Sequence, residues 1–124
     1  MFVNALGAAL LLVASASAAT PVPKALVAPP QAQWPKQCKD WDEWTKAGPS
    51  FRVFGNTYYV GTCGITAVLI VGDQGAILID GGPANAADLI AANIIRLGLK
   101  LSDVKILLHT HEHPDHVGGL ARLK

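Results

Sequence analysis

Two short apolar runs with a polar, glycine-flanked tetrad between them constrain the fold of this chain more than any other feature. Residues 66–71 and 76–80 are rich in isoleucine, leucine and valine, and Gly72-Asp73-Gln74-Gly75 separates them. Runs of this length bounded by turn residues are typical of strands, and the tetrad is typical of a tight reversal. The segment therefore predicts a β-hairpin whose second strand ends at Asp80.

The runs on either side of this hairpin extend it into a mixed α/β pattern. The predicted bounds are 51–54 and 57–60 for two earlier strands, 84–97 for a helix, 104–108 for a last strand and 116–124 for a last helix that Asp115 could cap. The first of these helices places Ile90, Ile94 and Leu97 on one face, with Leu89 beside them, and Gly98 follows as a C-terminal cap. We expect a mostly antiparallel sheet with helices on one face.

Composition fits one folded domain and argues against a nucleic-acid partner. The chain has 124 residues, 51% of them hydrophobic, with a formal net charge of +1. Such an apolar content suits a buried core, and a chain of this length holds at most one domain. Binding to phosphates needs clustered lysine and arginine, and the sequence has no basic run.

The first eighteen residues are predicted to be a signal peptide. Phe2 to Val13 is almost purely apolar but too short to span a bilayer, and small residues up to Ala18 provide a cleavage site. A buried N-terminal helix is the alternative, because no lysine or arginine precedes the apolar run. Export predicts a periplasmic or secreted protein without a membrane contact after cleavage.

Residues 19–50 are predicted to be a proline-rich leader with a tryptophan-containing segment. Five of the eight prolines lie in residues 19–36, which predicts extended chain without a helix there. Trp41 and Trp44 are three residues apart, and this spacing predicts one helical turn packed on the core. An aromatic platform for a ligand is the alternative for this pair.

The chain has two cysteines, Cys38 and Cys63, so only one disulfide pairing is possible. Disulfides persist in exported proteins, and export therefore predicts a Cys38–Cys63 bridge. Two free, buried thiols are the alternative.

All four histidines of the chain lie in the octapeptide HTHEHPDH, residues 109–116. Residues two apart in an extended segment point to the same side, so His111 and His113 can reach one metal ion. A turn at Pro114 would direct Asp115 and His116 toward a neighbouring ion. The spacing H-x-H-x-D-H therefore predicts a binuclear metal centre.

Two other residues of the octapeptide are not predicted to be ligands. His109 lies outside the four-ligand pattern, which favours a supporting or packing role. Glu112 is predicted to point away from the paired histidines, in solvent or beyond the ligands.

The motif at the end of a strand resembles the metallo-β-lactamase superfamily. The segments SFRVFGNTYYVGTCGITAVLIVGDQGAILIDGGP and LGLKLSDVKILLHTHEHPDHVGGLARLK resemble exported subclass B3 enzymes, and the likeness runs from about Trp34 to Lys124. It implies an αββα sandwich, of which residues 51–124 would form the N-terminal half.

The same resemblance implies roles for individual residues. His111 and His113 match two ligands of a first zinc ion, and Asp115 and His116 match two ligands of a second. Asp80 matches a carboxylate that supports the site without being one of the ligands. Its position agrees with this role, because a carboxylate at the end of a buried strand needs a partner.

The activity implied is hydrolysis of the ring of β-lactam antibiotics by a metal-bound hydroxide that Asp115 orients, and hence antibiotic resistance. A lactone or thioester substrate is the alternative within the same fold. The family is longer and takes further histidine ligands from its second half, whereas no histidine here lies outside residues 109–116. We therefore expect a chain truncated at its C-terminal end, so that the hydrolysis belongs to the full-length protein and the 124-residue chain itself is inactive. A zinc-binding fragment that is incompetent in catalysis is the alternative from another class of function.

Overall fold

A computed structural model describes residues 26–124. Its five strands are β1 (Phe51–Phe54), β2 (Thr57–Tyr59), β3 (Val68–Gly72), β4 (Gly75–Ile79) and β5 (Val104–Leu108). Its α-helices are α1 (Trp34–Gln37), α2 (Ala87–Arg96), α3 (Pro114–Val117) and α4 (Leu120–Leu123). Single 3-10 turns precede α1, α2 and β5, at Gln31–Gln33, Ala84–Ala86 and Leu101–Asp103.

The strands form one sheet in the order in which they occur along the chain. The first four pair antiparallel, and β3 and β4 form the predicted hairpin with Gly72 opposite Gly75. Strand β5 pairs parallel to β4, with Ile79 opposite Leu108. The mixed sheet confirms the predicted fold class, and its one parallel pair brings the ends of β4 and β5 to the same edge.

Helix α2 makes the crossover between the two parallel strands and covers one face of the sheet. Ile90, Ile94 and Leu97 are fully or almost fully buried, as their spacing predicts, against Leu69 and Leu78 of the hairpin. Leu89, predicted beside them, is half-buried. Gly98 follows the helix at a φ of 93°, which a glycine adopts without the steric cost that a side chain would add.

The segment before β1 is tied to the sheet. A disulfide joins Cys38 to Cys63, with a Cα–Cα distance of 5.0 Å, and confirms the predicted bridge. The side-chain nitrogen of Asn93, inside α2, donates hydrogen bonds to the carbonyl oxygens of Gly48, Val60 and Gly61 at 2.8–3.1 Å. Asn93 is 1% exposed, so these bonds lie within the core.

Two expectations about this segment were wrong. A short helix, α1, forms within the proline-rich leader because Pro35 lies in its first turn, where the missing N–H costs no hydrogen bond. Trp41 and Trp44 form no helical turn on the core and are 81% and 51% exposed. The side chain of Asp42, between them, binds the backbone N–H of Lys39 and the ammonium group of Lys46, which favours a turn.

The last predicted helix is divided in two. Helix α3 begins at Pro114 with His113 as its N-terminal cap residue, so Asp115 lies inside the first turn and does not cap it. Gly118 and Gly119 separate α3 from α4. Leu123 of α4 joins the core beside α2, so the helices share one face of the sheet.

The predicted signal peptide, residues 1–18, lies outside the described residues. Within residues 26–124, none of the helices has both the length and the apolar character needed to cross a membrane.

Candidate metal centre

The parallel pairing of β4 and β5 creates the candidate site, because whatever follows each strand emerges at the same edge of the sheet. The backbone N–H of Asp80 donates to the carbonyl oxygen of Leu108 at 3.0 Å, and that of Gly81 donates to the carbonyl oxygen of His116 at 2.8 Å. In open α/β sheets, ligands bind at such carboxyl ends of strands. Asp80 and the histidine octapeptide thereby become neighbours.

Close backbone contact between two glycine pairs holds these loops together. The N–H of Gly119 donates to the carbonyl oxygen of Gly82 at 2.9 Å. A methyl group on Gly119 would overlap the carbonyl oxygen of Gly81, and one on Gly81 would meet the side chain of Leu120 at 2.8 Å. The glycines after β4 and after α3 are therefore required by the approach of the two backbones.

Asp80 is the centre of a hydrogen-bond network at this edge. The backbone N–H of Thr110 donates to its Oδ1 at 2.8 Å, and the Thr110 hydroxyl donates to its Oδ2 at 2.6 Å. Nδ1 of His116 lies 3.0 Å from the same Oδ2. Burial alone would raise the pKa of Asp80, but the hydrogen bonds from Thr110 and His116 outweigh it and hold the pKa below the ordinary aspartate value.

This network fixes the orientation of His116. An ionised carboxylate can only accept hydrogen bonds, so Nδ1 of His116 donates to Asp80 and Nε2 is the nitrogen that faces away from Asp80. Nε2 in turn lies 3.5 Å from Oδ2 of Asp115. One nitrogen and one oxygen donor therefore lie side by side, as the spacing of these two residues predicts.

The other predicted pair also comes together. Nε2 of His111 lies 2.7 Å from Nδ1 of His113, with the two rings edge to face at a centroid distance of 4.1 Å. The ring of His111 is also 5.4 Å from that of His116. The four side chains thus form two adjacent donor pairs.

Glu112 is not where the sequence suggested. Its Oε2 lies 3.2 Å from Nδ1 of His111, although residues adjacent in an extended strand would point apart. The prediction that it points away from both histidines was wrong because the backbone bends at residues 112 and 113 and no longer alternates, whereas its predicted exposure to solvent is confirmed by a side chain that is 79% exposed. His111, Glu112 and His113 offer three ligand atoms within 4.8 Å of one another.

His109 lies apart from this arrangement. Its side chain is exposed, and it forms no hydrogen bond or ion pair with residues 26–124 that the structure places. A supporting or packing role for His109 stays a prediction.

Thr110 is a residue that reasoning from sequence missed. Its two bonds to Asp80, together with the 3.1 Å between its hydroxyl oxygen and Nδ1 of His116, make it a bridge in the network. A threonine between two histidines of the octapeptide was the available signal, but its partner lies 30 residues earlier in the chain.

A second cluster of potential metal ligands is excluded by chemistry. Cys38, Asp42 and Cys63 lie close together, but both sulfurs are bonded to each other and offer no thiolate. The candidate metal centre is therefore at the edge where β4 and β5 end.

Comparison with known proteins identifies a family. The sequence model of the metallo-beta-lactamase superfamily matches residues 60–124, which include both donor pairs and Asp80.

Solved structures of metallo-beta-lactamases superpose on this chain. MIM-2 does so with a TM-score of 0.73 at 63% identity, over 74% of this chain and 35% of that one. SMB-1, in a complex with mercaptoacetic acid, gives 0.65 at 49% identity, over 66% and 32%. MEM-A1, a subclass B3 enzyme isolated from a soil metagenome library, gives 0.64 at 53% identity, over 65% and 31%. The chain spans about a third of the length of these relatives. With more than half of its residues matched by the family's sequence model, this chain belongs to the metallo-β-lactamase superfamily.

Proposed function

We propose that this edge of the sheet is a zinc centre of a hydrolase that opens β-lactam rings. The observation that carries the proposal is the pairing of the four donors. His111 Nε2 and His113 Nδ1 are 2.7 Å apart, and Asp115 Oδ2 and His116 Nε2 are 3.5 Å apart. Imidazole nitrogen and carboxylate oxygen are donors that zinc binds in proteins, so the residues present fit this metal.

Each pair would hold one of two zinc ions, His111 with His113 and Asp115 with His116. When bound, zinc lowers the pKa of a coordinated water to about 7 and polarises a carbonyl group. Such an environment makes cleavage of a cyclic amide possible without a serine or cysteine nucleophile. Both cysteines of this chain are joined in the disulfide, which removes a thiolate as an alternative nucleophile.

The protein's own residues would position the reactants. The second oxygen of Asp115 can accept a hydrogen bond from the attacking water and orient it, which makes Asp115 the proposed catalytic residue. Asp80 and Thr110 act through His116, since they hold its Nδ1 and direct its Nε2 toward Asp115. Removal of such outer partners typically costs about 10–100-fold in metal affinity or activity.

A β-lactam antibiotic is the substrate that the comparisons favour. Solved relatives at 49–63% identity carry the name metallo-beta-lactamase, and one of them binds a small thiol, mercaptoacetic acid. Lactones and thioesters remain the competing substrates. Their carbonyl groups demand the same zinc chemistry, and the described residues hold no feature that selects among the three classes.

The test is hydrolysis of a chromogenic cephalosporin by the purified full-length protein that carries this segment, with a lactone and a thioester at equal concentration. We expect turnover of the cephalosporin that a chelator abolishes and added zinc restores. Faster turnover of the lactone or thioester would contradict the proposed substrate. Turnover that survives the chelator would contradict the zinc centre.

The ligand count supports a second candidate, zinc binding without turnover. Catalytic zinc sites usually have three protein ligands and one open position. Each donor pair supplies two ligands, and the chain has no histidine outside residues 109–116. In the same experiment, bound zinc with no hydrolysis of any of the three substrates would select this candidate.

We also propose export to the periplasm or medium, for which the Cys38–Cys63 bridge is the structural support. The mature protein would begin after residue 18, with its domain over residues 51–124 and the leader tied to it by the bridge. Intact mass of exported material should correspond to cleavage after Ala18 and be two hydrogens lighter than the reduced chain. A retained Met1 would contradict the signal peptide.

A further inference from the structure

A cavity of about 260 Å³ lies between the segment before β1 and the end of α2. Pro29 and Gln37 of the leader line it, together with residues 47–50 of the loop before β1 and Arg96, the last residue of α2. None of these residues belongs to the candidate metal centre. Gly118, next to the donor pairs, lies against Ala84 before the start of α2. The ten residues of this helix, about 15 Å in length, therefore lie between the two places.

Ser50 places a buried hydroxyl without a partner at this cavity. The residue is 1% exposed, and its Oγ makes no hydrogen bond with residues 26–124. Folded proteins pair nearly all buried polar groups, because a hydroxyl that leaves water and finds no partner destabilises the fold. Since Ser50 lines the cavity, an oxygen atom of a ligand held there would give the hydroxyl the partner that the described chain does not.

A positive charge at the cavity is anchored to the core by a hydrogen bond. Nη1 of Arg96 donates to Oδ1 of Asn93 at 2.7 Å, and Asn93 is 1% exposed. A guanidinium carries several N–H donors, and Arg96 makes no other side-chain hydrogen bond and no ion pair with residues 26–124. No aspartate or glutamate lines the cavity, so its lining does not neutralise this charge.

We propose that this cavity binds a small organic carboxylate. The planar fork of the Arg96 guanidinium matches the two oxygens of a carboxylate, and the Ser50 hydroxyl would donate to one of them. Pro29, Ala47 and Pro49 offer apolar walls for a short hydrocarbon portion of the ligand. Binding here does not depend on the proposed zinc centre.

The size and exposure of the cavity define the ligand further. Pockets for drug-sized molecules have volumes of about 300–1,000 Å³, so this smaller cavity suits a ligand of few carbons. Arg96 is exposed, and water competes with the ligand for its guanidinium, so the dissociation constant should lie in the millimolar range. Because Arg96 is the one cationic residue in the lining, a singly charged carboxylate fits better than a phosphate dianion.

The test is a titration of the full-length protein that carries this segment, with butyrate as the probe and the backbone amide spectrum as the readout. Zinc is removed first, because a carboxylate also binds this metal. We expect saturable shifts of the amide signals of Ser50 and Arg96 with butyrate, and none with butyramide, which has a similar shape without the charge. Equal binding of butyramide, tighter binding of inorganic phosphate or the absence of saturable shifts at these two residues would overturn the proposal.

A charge variant measures the contribution of the guanidinium. Arg96→Gln should weaken butyrate binding about 10–100-fold, because hydrogen bonds to a charged group are the stronger ones. The matched control is Arg122→Gln, which removes the same charge from an arginine that pairs with Asp88 near the start of α2, at the other end of the helix. An equal loss of affinity in Arg122→Gln would assign the effect to net charge and contradict the proposal.

Ser50→Ala separates a binding role of the hydroxyl from a structural one. The substitution removes a buried group that has no partner in residues 26–124, so the melting temperature without butyrate should stay the same or rise. The affinity for butyrate should nevertheless fall about two- to tenfold, as expected for the loss of one hydrogen bond. A lower melting temperature with unchanged affinity would show that the hydroxyl serves the fold, and would overturn its place in the binding site.

Discussion

At the scale of single residues, Asp80 combines an unusual backbone with an unusual ionisation. Its φ of 63° is the only positive value at a non-glycine residue among residues 26–124. Aspartate tolerates this left-handed region better than most residues, and non-glycine residues held there often lie at functional sites. The conformation turns the chain sharply after β4, and the carboxylate then receives the bonds from Thr110 and His116.

The lowered pKa of Asp80 predicts a specific loss of stability in acid. A carboxyl whose pKa is depressed by folding stabilises the fold above its unfolded pKa of about 3.9, and this contribution disappears as pH falls through the lower folded pKa. In zinc-free protein, Asp80→Asn should lower the free energy of unfolding by about 2 kcal/mol at neutral pH, because hydrogen bonds to a charged group contribute about this much. It should also flatten the decline in unfolding free energy below about pH 4.

Urea unfolding at a series of pH values measures both effects. The control is Asp73→Asn, which removes one carboxylate from the exposed turn between β3 and β4. If Asp73→Asn and Asp80→Asn reduced the loss of stability below about pH 4 equally, the bonds from Thr110 and His116 to Asp80 would not be the cause of that loss.

The ligand assignment makes opposite predictions for Asp115 and His109. Asp115→Ala removes one of the two donors that lie 3.5 Å apart, so zinc stoichiometry should fall from two toward one and turnover should fall heavily. His109→Ala should leave the stoichiometry at two, because His109 is exposed and apart from both pairs. Metal analysis of each variant after gel filtration measures the zinc stoichiometry. A metal lost from His109→Ala but retained by His111→Ala would show that the assignment is wrong.

At the scale of elements, apolar periodicity predicted the parts of the chain that bury a face. The strands lie within two residues of their expected bounds and α2 within three, because burial of Leu69, Leu78, Ile90 and Ile94 determines both the sequence pattern and the structure. The tryptophan-containing segment was mispredicted for the opposite reason. Its place is set by the disulfide and by hydrogen bonds of Asp42, and neither produces a periodic pattern.

The candidate site also has one part that local sequence predicts and one part that it does not. The spacing of four residues was enough to predict two donor pairs, since a local backbone with one turn determines which side chains meet. Thr110 and the details of Asp80 depend on Ile79 lying opposite Leu108, a register between strands separated by a helix. That register is a property of the folded sheet, so no local pattern could predict it.

The contact between glycine pairs makes a prediction at this scale. Gly119→Ala should destabilise the fold by about 1–3 kcal/mol, the usual cost of an overpacked core, because its methyl group would overlap the carbonyl oxygen of Gly81. The same displacement would separate His116 from Asp80 and weaken zinc binding. Thermal unfolding and zinc competition on the variant measure the two losses.

Gly72→Ala is the matched control for this substitution. A methyl group there would meet the carbonyl oxygen of Gly75 at 3.4 Å, an ordinary contact, and its φ is not positive. We expect a change within about 0.5 kcal/mol. A loss in Gly72→Ala as large as that in Gly119→Ala would mean that alanine is disfavoured generally at these glycines and not by the loop contact.

At the scale of the whole molecule, the two faces of the sheet differ. One face is covered by α2 and α4, and its residues form the core. On the other face, the stacked rings of Phe51 and Tyr59 pack with Trp34 near the outer strands. At the opposite side of that face, Ile106 and Leu108 of β5 are each 47% exposed. Within residues 26–124 this apolar strip has no helix over it, although the matched part of the chain covers only 35% of the longer relative MIM-2.

Exposed apolar strips on a sheet favour association, and this predicts the behaviour of the 124-residue chain in solution. We expect it to bind a hydrophobic dye and to associate as its concentration rises. Ile106→Lys should weaken association about tenfold, because burial of one half-exposed isoleucine contributes about 1.4 kcal/mol at roughly 25–30 cal/mol per Å². Sedimentation velocity over a concentration series measures it. Ile95→Lys is the control, since Ile95 of α2 is 56% exposed on the opposite side and gains the same charge. An equal effect in Ile95→Lys would attribute the change to net charge. A wild type that neither binds the dye nor associates would show that the apolar strip does not drive association.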